Sequence, residues 1–303
     1  MLPERYRSLE GFLTPQELKI IQKSVILLAG CGAGSNPNFL LARYSFGTQD
    51  EGKIIFADPE NVDECNLLRQ SYDEEDLGVN KAEASARHAV RINNLVRTEV
   101  HPEGITAENV SSLISQSDVV FEMVDVGAPD ISFLIHLASQ EHARPAVVTL
   151  DLGDNTLTRV FRNDIQGQMS YLQFLGLTHS VTANDSKDFN PYAVVAQLII
   201  GPNNYHPLET IKDAKDYFSE RFFQLAYDTG TNLDRLSEEL PEDMRPVVED
   251  LLAGKLTHLP QTGIAGQLTG AVHVKIAQDI LLNRPVYGAE HSIKVYLSEL
   301  VSS

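Results

Sequence analysis

Between Asp58 and Lys81 the chain sets an acid, an amide, a guanidinium and an ammonium in an order suited to one nucleotide. The run is Asp58-Pro59-Glu60-Asn61-Val62-Asp63-Glu64-Cys65-Asn66-Leu67-Leu68-Arg69-Gln70, and Lys81 follows eleven residues later. About two dozen residues before Asp58, Gly30-Cys31-Gly32-Ala33-Gly34-Ser35 joins a short apolar run to a segment with helical spacing. A glycine turn of that kind lets backbone N–H groups and a helix N-terminus face a phosphate. An acid at the end of the next strand can accept hydrogen bonds from ribose hydroxyls, which assigns Asp58 that place. The glycine spacing is irregular, because Ser35 stands where a third glycine belongs and Gly34 comes one residue early. Up to Asp58 a dinucleotide site is served equally well. Asn66, Arg69, Gln70 and Lys81 add phosphate-directed groups that a docked dinucleotide does not require, and Asp125 supplies a later carboxylate suited to magnesium. Together they point to a nucleotide that is consumed.

Each of these residues also has a purely structural reading. Gly30, Gly32 and Gly34 could serve a steric turn. Asp58 and Asp125 could cap turns, Asn66 could cap a short helix, and Arg69 and Lys81 could pair with the acidic run Asp73–Asp76. The pair Cys31 and Cys65 reads best as small buried hydrophobes, and Tyr171, Phe174 and Phe189 read as packing. The nine histidines show no ligand spacing.

The elements that must position these groups follow from the apolar pattern. Thr14, Pro15 and Glu17 form the sequence signature of a helix start, and residues 12–23 continue it. Continuous apolar runs at 24–30, 53–57, 118–124 and 145–150 predict strands buried on both faces, with a further strand at 97–101. Helical spacing fills the gaps at 38–44, 81–93, 107–115 and 131–142. Strands alternating with helices at this spacing predict an α/β, Rossmann-like, doubly wound and mostly parallel sheet. Beyond residue 151, 158–161 and 169–173 read as antiparallel strands. Residues 176–191 are polar and turn-rich, with a mobile loop placed within 176–206. Helices are expected at 208–227 and 242–252, and again at 263–282, where Gly266, Gly270 and Ala271 permit close packing. The whole reads as one domain over 1–303, a nucleotide-binding half at 1–150 and an antiparallel, helical extension at 151–303.

Composition narrows the function classes. The 303 residues are 43% hydrophobic, enough for a sizeable core. A net charge of −18 argues against a nucleic-acid backbone as partner. No run reaches membrane-spanning length, and residues 1–7 lack the apolar core of a secretory signal, so cytoplasm is the expected compartment. Two cysteines cannot make a four-thiolate zinc site.

Asn66-Leu67-Leu68-Arg69-Gln70, Leu77-Gly78-Val79-Asn80-Lys81-Ala82 and Arg91-Ile92-Asn93-Asn94-Leu95-Val96 resemble the ThiF/HesA/MoeB family of adenylyltransferases, which shares its fold with ubiquitin-activating enzymes. The similarity runs to about residue 150, and 263–282 resembles the family's closing helix. The resemblance implies that Asp58, Asn66, Arg69, Lys81 and Asp125 bind or act on ATP and its Mg2+. It implies a homodimer in which Arg5, with Arg7 the alternative, reaches the partner's site. The implied substrate is the C-terminal carboxylate of a small ubiquitin-like or sulfur-carrier protein, or of a short peptide. The chain departs from the family in five places, one being the absence of the paired Cys-x-x-Cys motifs that bind structural zinc in many relatives. Its glycine turn is irregular, and Asp125-Val126-Gly127 stands where Asp-Asn is usual. Asp130 replaces an arginine. No cysteine follows Cys65, so nothing matches the transfer thiol of many relatives and chemistry should stop at the acyl-adenylate. Two rival readings follow: a catalytically silent scaffold or inactive half of a heterodimer, and an NAD-dependent oxidoreductase.

Overall fold

The computed structural model describes residues 3–125, 128–174, 246 and 261–295. One seven-stranded sheet organises them, in the order β3-β2-β1-β4-β5-β6-β7. The strands are β1 (Val25–Ala29), β2 (Lys53–Ala57), β3 (Thr98–His101), β4 (Val119–Glu122), β5 (Ala146–Leu152), β6 (Asn155–Phe161) and β7 (Ile293–Val295). β3 through β5 are parallel neighbours, while β5–β6 and β6–β7 pair antiparallel. The expected fold class is therefore observed. β1 is buried along its whole length, as an apolar run flanked on both sides requires, whereas the edge strand β3 is only half-buried.

The helices are α1 (Pro15–Lys23), α2 (Ser35–Arg43), α3 (Lys81–Ile92), α4 (Val110–Ser115), α5 (Pro129–Glu141), α6 (Tyr171–Phe174) and α7 (Gly263–Leu281). Strand side chains alternate between two apolar cores. One, with Ile26, Leu28, Phe56 and Phe121, packs under α2, α3 and α7; the other, with Leu27, Ile55, Val120 and Val148, packs under α4 and α5. α1 starts where the sequence signature places it. The Thr14 hydroxyl accepts from Glu17 N at 3.2 Å and Glu17 accepts from Thr14 N at 2.7 Å.

Two expectations change, and one strand is added. Residues 169–173 are not a strand: Ser170 N donates to Gln173 Oε1 at 2.9 Å, and Ser170 Oγ accepts from Gln173 N at 3.3 Å. That reciprocal capping starts α6 at Tyr171, a local preference stronger than the short alternation of side chains. β7 went unpredicted, because three residues, an exposed Lys294 between half-buried Ile293 and Val295, are too short a run to show a period. Ala271 is exposed, so the close-packing face of α7 is Gly263, Gly266 and Gly270 instead. The segments expected at 176–206, 208–227 and 242–252, and Phe189 with them, lie outside the described residues apart from Pro246.

β1 is the strand at which the order reverses, with β2 on one side and β4 on the other. Open α/β sheets bind ligands outside the carboxyl ends of such strands. The glycine turn follows β1, Asp58 follows β2 and Asp125 follows β4.

Candidate nucleotide site

Gly30 leaves β1 with a φ of +94°, and a β-carbon there would collide with the Met123 carbonyl. Only glycine permits both the turn and the backbone contact with the end of β4. Gly34, the residue before α2, has no room for a β-carbon against the Gly30 carbonyl. Gly32 faces Gln70, whose Nε2 lies 3.1 Å from where a β-carbon would be. The irregular glycine spacing thus still builds a close-approach turn.

Asp58, 6% exposed, braces that turn from the end of β2. Its Oδ2 accepts from Cys31 N at 2.6 Å and its Oδ1 from Glu60 N at 2.8 Å. An ionised carboxylate has about four acceptor sites, so roughly two remain for a ligand. Burial pushes the Asp58 carboxyl above its ordinary value, against the Glu60 and Cys31 N–H groups and the Lys81 ammonium, which pull it down. Lys81 opens α3 and is 5% exposed. Its Nζ donates to Glu60 Oε2 at 2.6 Å, and Asn80 caps the helix behind it through Ala82 N and Glu83 N. The Tyr72 hydroxyl oxygen ties the floor together, 2.6 Å from the Cys31 carbonyl, 3.1 Å from the Lys81 carbonyl and 3.0 Å from Ser85 Oγ.

Gln70, 7% exposed, turns its amide beneath Gly32, and its Oε1 is buried with no hydrogen-bond partner among the described residues. A buried amide oxygen without a donor costs free energy unless a ligand or water supplies one. The turn, the remaining Asp58 acceptors and this amide fit a nucleotide. An exposed carboxylate at the end of β4 fits a magnesium ion carried on phosphates.

Arg69 sits at the other side of the turn and reaches the segment that leads into α7, with Nη1 donating to Gln261 Oε1 at 2.8 Å. Ser71 N donates to Ser35 Oγ at 2.9 Å, and Ser71 Oγ donates to Asn36 Oδ1 at 2.7 Å, which moors the 66–71 loop to the start of α2. Nothing in the sequence marked Asn36, Ser71 or Gln261 as members of this network.

The structure thus gathers Gly30, Gly32, Gly34, Asp58, Gln70 and Lys81 around one turn, with Arg69 on its flank. Asp125 follows β4, and the carbonyl of Met123, the residue just past that strand, backs Gly30. Asn66 caps no helix after it: its Oδ1 accepts from Asp63 N at 3.0 Å and closes the 3-10 turn to which it belongs, Glu64–Asn66. Arg5 is exposed on another 3-10 turn, Glu4–Leu9, beside α1. Lys81 does not pair with the Asp73–Asp76 run as the structural reading supposed. Asp76 instead meets Arg87 and His88, and Asp73 meets Arg91. Asp73, Asp76 and His88 do come within ligand spacing of one another, contrary to the sequence reading of the histidines. Cys31 is buried and burial pushes its thiol well above the ordinary value, but Cys65 is exposed, contrary to expectation. Tyr171 and Phe174 pack against Phe161 as expected. Val126 and Gly127 lie outside the described residues. Among the described residues no helix is long and apolar enough to cross a membrane.

Solved structures with this fold include PaaA, with a TM-score of 0.58 and 13% identity over 97% of this chain and 82% of that one. E. coli MccB with MccA-N7isoASN gives 0.61 and 12% over 97% and 69%. Among curated proteins, the adenylyltransferase and sulfurtransferase UBA4 of Debaryomyces hansenii is 25% identical over 213 residues, 67% of this chain and 44% of that protein. The probable adenylyltransferase/sulfurtransferase MoeZ of Mycobacterium tuberculosis is 31% identical over 109 residues, 35% of this chain and 26% of that protein. The chain therefore spans less than half the length of these curated relatives. The ThiF family model matches residues 5–193, well over half of the sequence, and the chain belongs to the ThiF family.

Proposed function

We propose that the protein transfers the adenylyl group of ATP to a carboxylate. The observation that carries this reading is the buried Lys81 ammonium beside the buried Asp58 carboxylate, at the mouth of a glycine turn fitted to a phosphate-bearing ligand. The names of the UBA4 and MoeZ relatives describe adenylyltransferases, and MccB has been solved with ATP. Asp58 would hold the ribose and Gln70 an N–H or hydroxyl of the nucleotide, while Arg69 and Lys81 face the phosphates. Asp125 would hold Mg2+, which supplies charge neutralisation on the phosphates when bound.

In the reaction a substrate carboxylate oxygen attacks the α-phosphorus. The bond from that phosphorus to the bridging oxygen breaks, and pyrophosphate leaves with the electron pair. The product is an acyl-adenylate. No proton moves, because a carboxylate is already ionised at neutral pH. The obstacle is repulsion between anions, about 4 kcal/mol per charge pair at about 4 Å in a medium of dielectric about 20. Arg69 and Lys81 offset it and stabilise the charge that builds on the leaving group. The proposed substrate is the C-terminal carboxylate of a small ubiquitin-like or sulfur-carrier protein or of a short peptide, and the proposed assembly is a homodimer with Arg5 lent across the interface.

Substrate-dependent exchange of labelled pyrophosphate into ATP tests the reaction. Arg69→Ala and Asp125→Ala should each slow it by about 3–4 kcal/mol in the barrier, and unchanged exchange removes those roles. The engaged Asn66 amide and the Lys81–Glu60 pair favour a second reading, a silent family member that binds a carrier without reacting. Carrier binding with no exchange would select it. Saturable NAD binding with no ATP binding would reject both.

A further inference from the structure

We propose that Gln261, two residues before α7, is a positioning residue that holds the Arg69 guanidinium at the nucleotide site. The inference rests on the adenylyl-transfer reading and extends the site into the C-terminal part of the chain. Arg69 Nη1 donates to Gln261 Oε1 at 2.8 Å, across 192 residues of sequence. Gln261 is itself anchored rather than swinging on a free strand end. Its backbone forms a parallel bridge with Gly153 in the β5–β6 turn. The next residue, Thr262, donates its N–H to the Gly153 carbonyl at 3.1 Å and its hydroxyl reaches Asp154 Oδ1 at 2.6 Å. On its far side α7 lies flush on the Arg69 loop: a β-carbon at Gly263 would stand 2.8 Å from the Leu68 carbonyl, and one at Gly266 2.9 Å from the Arg69 carbonyl.

The β5–β6 turn, the start of α7 and the Arg69 loop are therefore one clamp, and Gln261 is its contact with the charged end of Arg69. A guanidinium has five N–H donors in a fixed fork. One bond to Gln261 leaves the others for phosphate oxygens, so the contact orients Arg69 without blocking it. The neighbouring Asp151 supports the same placement: burial raises its carboxyl, and the positive charge of Arg69 counters part of that rise. Long cationic side chains lose rotamer freedom when they bind phosphate, and a pre-held guanidinium has less to lose.

The test is a double-mutant cycle read by calorimetric binding of ATP–Mg2+ to four full-length proteins: wild type, Q261L, R69A and the double variant. Leucine is close to glutamine in volume but accepts no hydrogen bond. Q261L should weaken ATP–Mg2+ binding about tenfold in the wild-type background, the scale of a hydrogen bond to a charged group. In the R69A background the same substitution should change affinity less than about twofold, because coupled residues do not act additively. Equal losses in both backgrounds would make Gln261 a structural residue, and tighter binding by Q261L would make it a latch; either overturns the proposal. If Q261L fails to fold, Gln261→Asn, which keeps an amide but lacks the reach, carries the same cycle. Failure of the underlying reading looks different: wild type then binds no ATP–Mg2+, or R69A binds it as well as wild type does.

Discussion

Gly266→Ala should separate the fit of α7 on the Arg69 loop from the general stability of the fold. A β-carbon at Gly266 would lie 2.9 Å from the Arg69 carbonyl and 3.1 Å from Asn36 Cγ, with Asn36 Nδ2 closer still, where ordinary contact begins at 3.4 Å. The Arg69 carbonyl is the harder obstacle because it is backbone. It must retreat by about 0.5 Å, or the helix must lift by as much. Asn36 has little freedom to yield, since its Oδ1 already takes bonds from Ser71 Oγ at 2.7 Å and Gln267 Nε2 at 3.2 Å. Overpacking of this kind costs about 1–3 kcal/mol, and replacing a helical glycine by alanine returns about 1 kcal/mol. The net loss should be no more than about 2 kcal/mol, a fall of only several degrees in Tm. The effect on the site should be larger, because misplacing a catalytic group by about 1 Å can cost on the order of 100-fold in rate. Thermal melts would measure the first quantity, and ATP–Mg2+ affinity with pyrophosphate exchange the second. A variant that melts several degrees lower yet binds and exchanges like wild type would refute the idea that α7 sets the position of Arg69.

Three further outcomes are expected. Burial lowers the His273 pKa to about 4, so the fold excludes the charged ring; the stability this represents is present above about pH 6.5 and is lost as pH falls toward about 4. Denaturant melts across that window should show a shallower acid loss in His273→Gln, by roughly 3 kcal/mol at most, and an identical slope would exclude His273 as a cause. Lys81→Met should raise the already elevated Asp58 carboxyl further. A buried acid with a raised value loses stability as pH climbs from the ordinary carboxylate range through its titration, so the deficit of the variant should grow across that rise and stay flat if the two groups are uncoupled. Cys31→Ala and Cys65→Ala should leave adenylate formation intact, since one thiol is buried with its ionisation suppressed and the other lies on an exposed turn. Trapping of a thioester on either would contradict that.

Much of this molecule is written in local pattern. Continuous apolar runs produced β1, β2, β4 and β5, and Thr14 with Glu17 marked the start of α1, because burial on both faces and capping act over a few residues. The order of Gly30, Asp58, Gln70 and Lys81 along alternating strands and helices also determined that they meet, since connections in a parallel sheet bring successive strand ends to one edge. Tertiary structure alone decided how their side chains are engaged. Lys81 found Glu60 in place of the Asp73–Asp76 run, and Arg69 found Gln261. These are single polar contacts, the last between residues far apart in the chain. Such contacts leave no period in the sequence, because they depend on the distances that packing creates and not on the spacing of residues along the backbone.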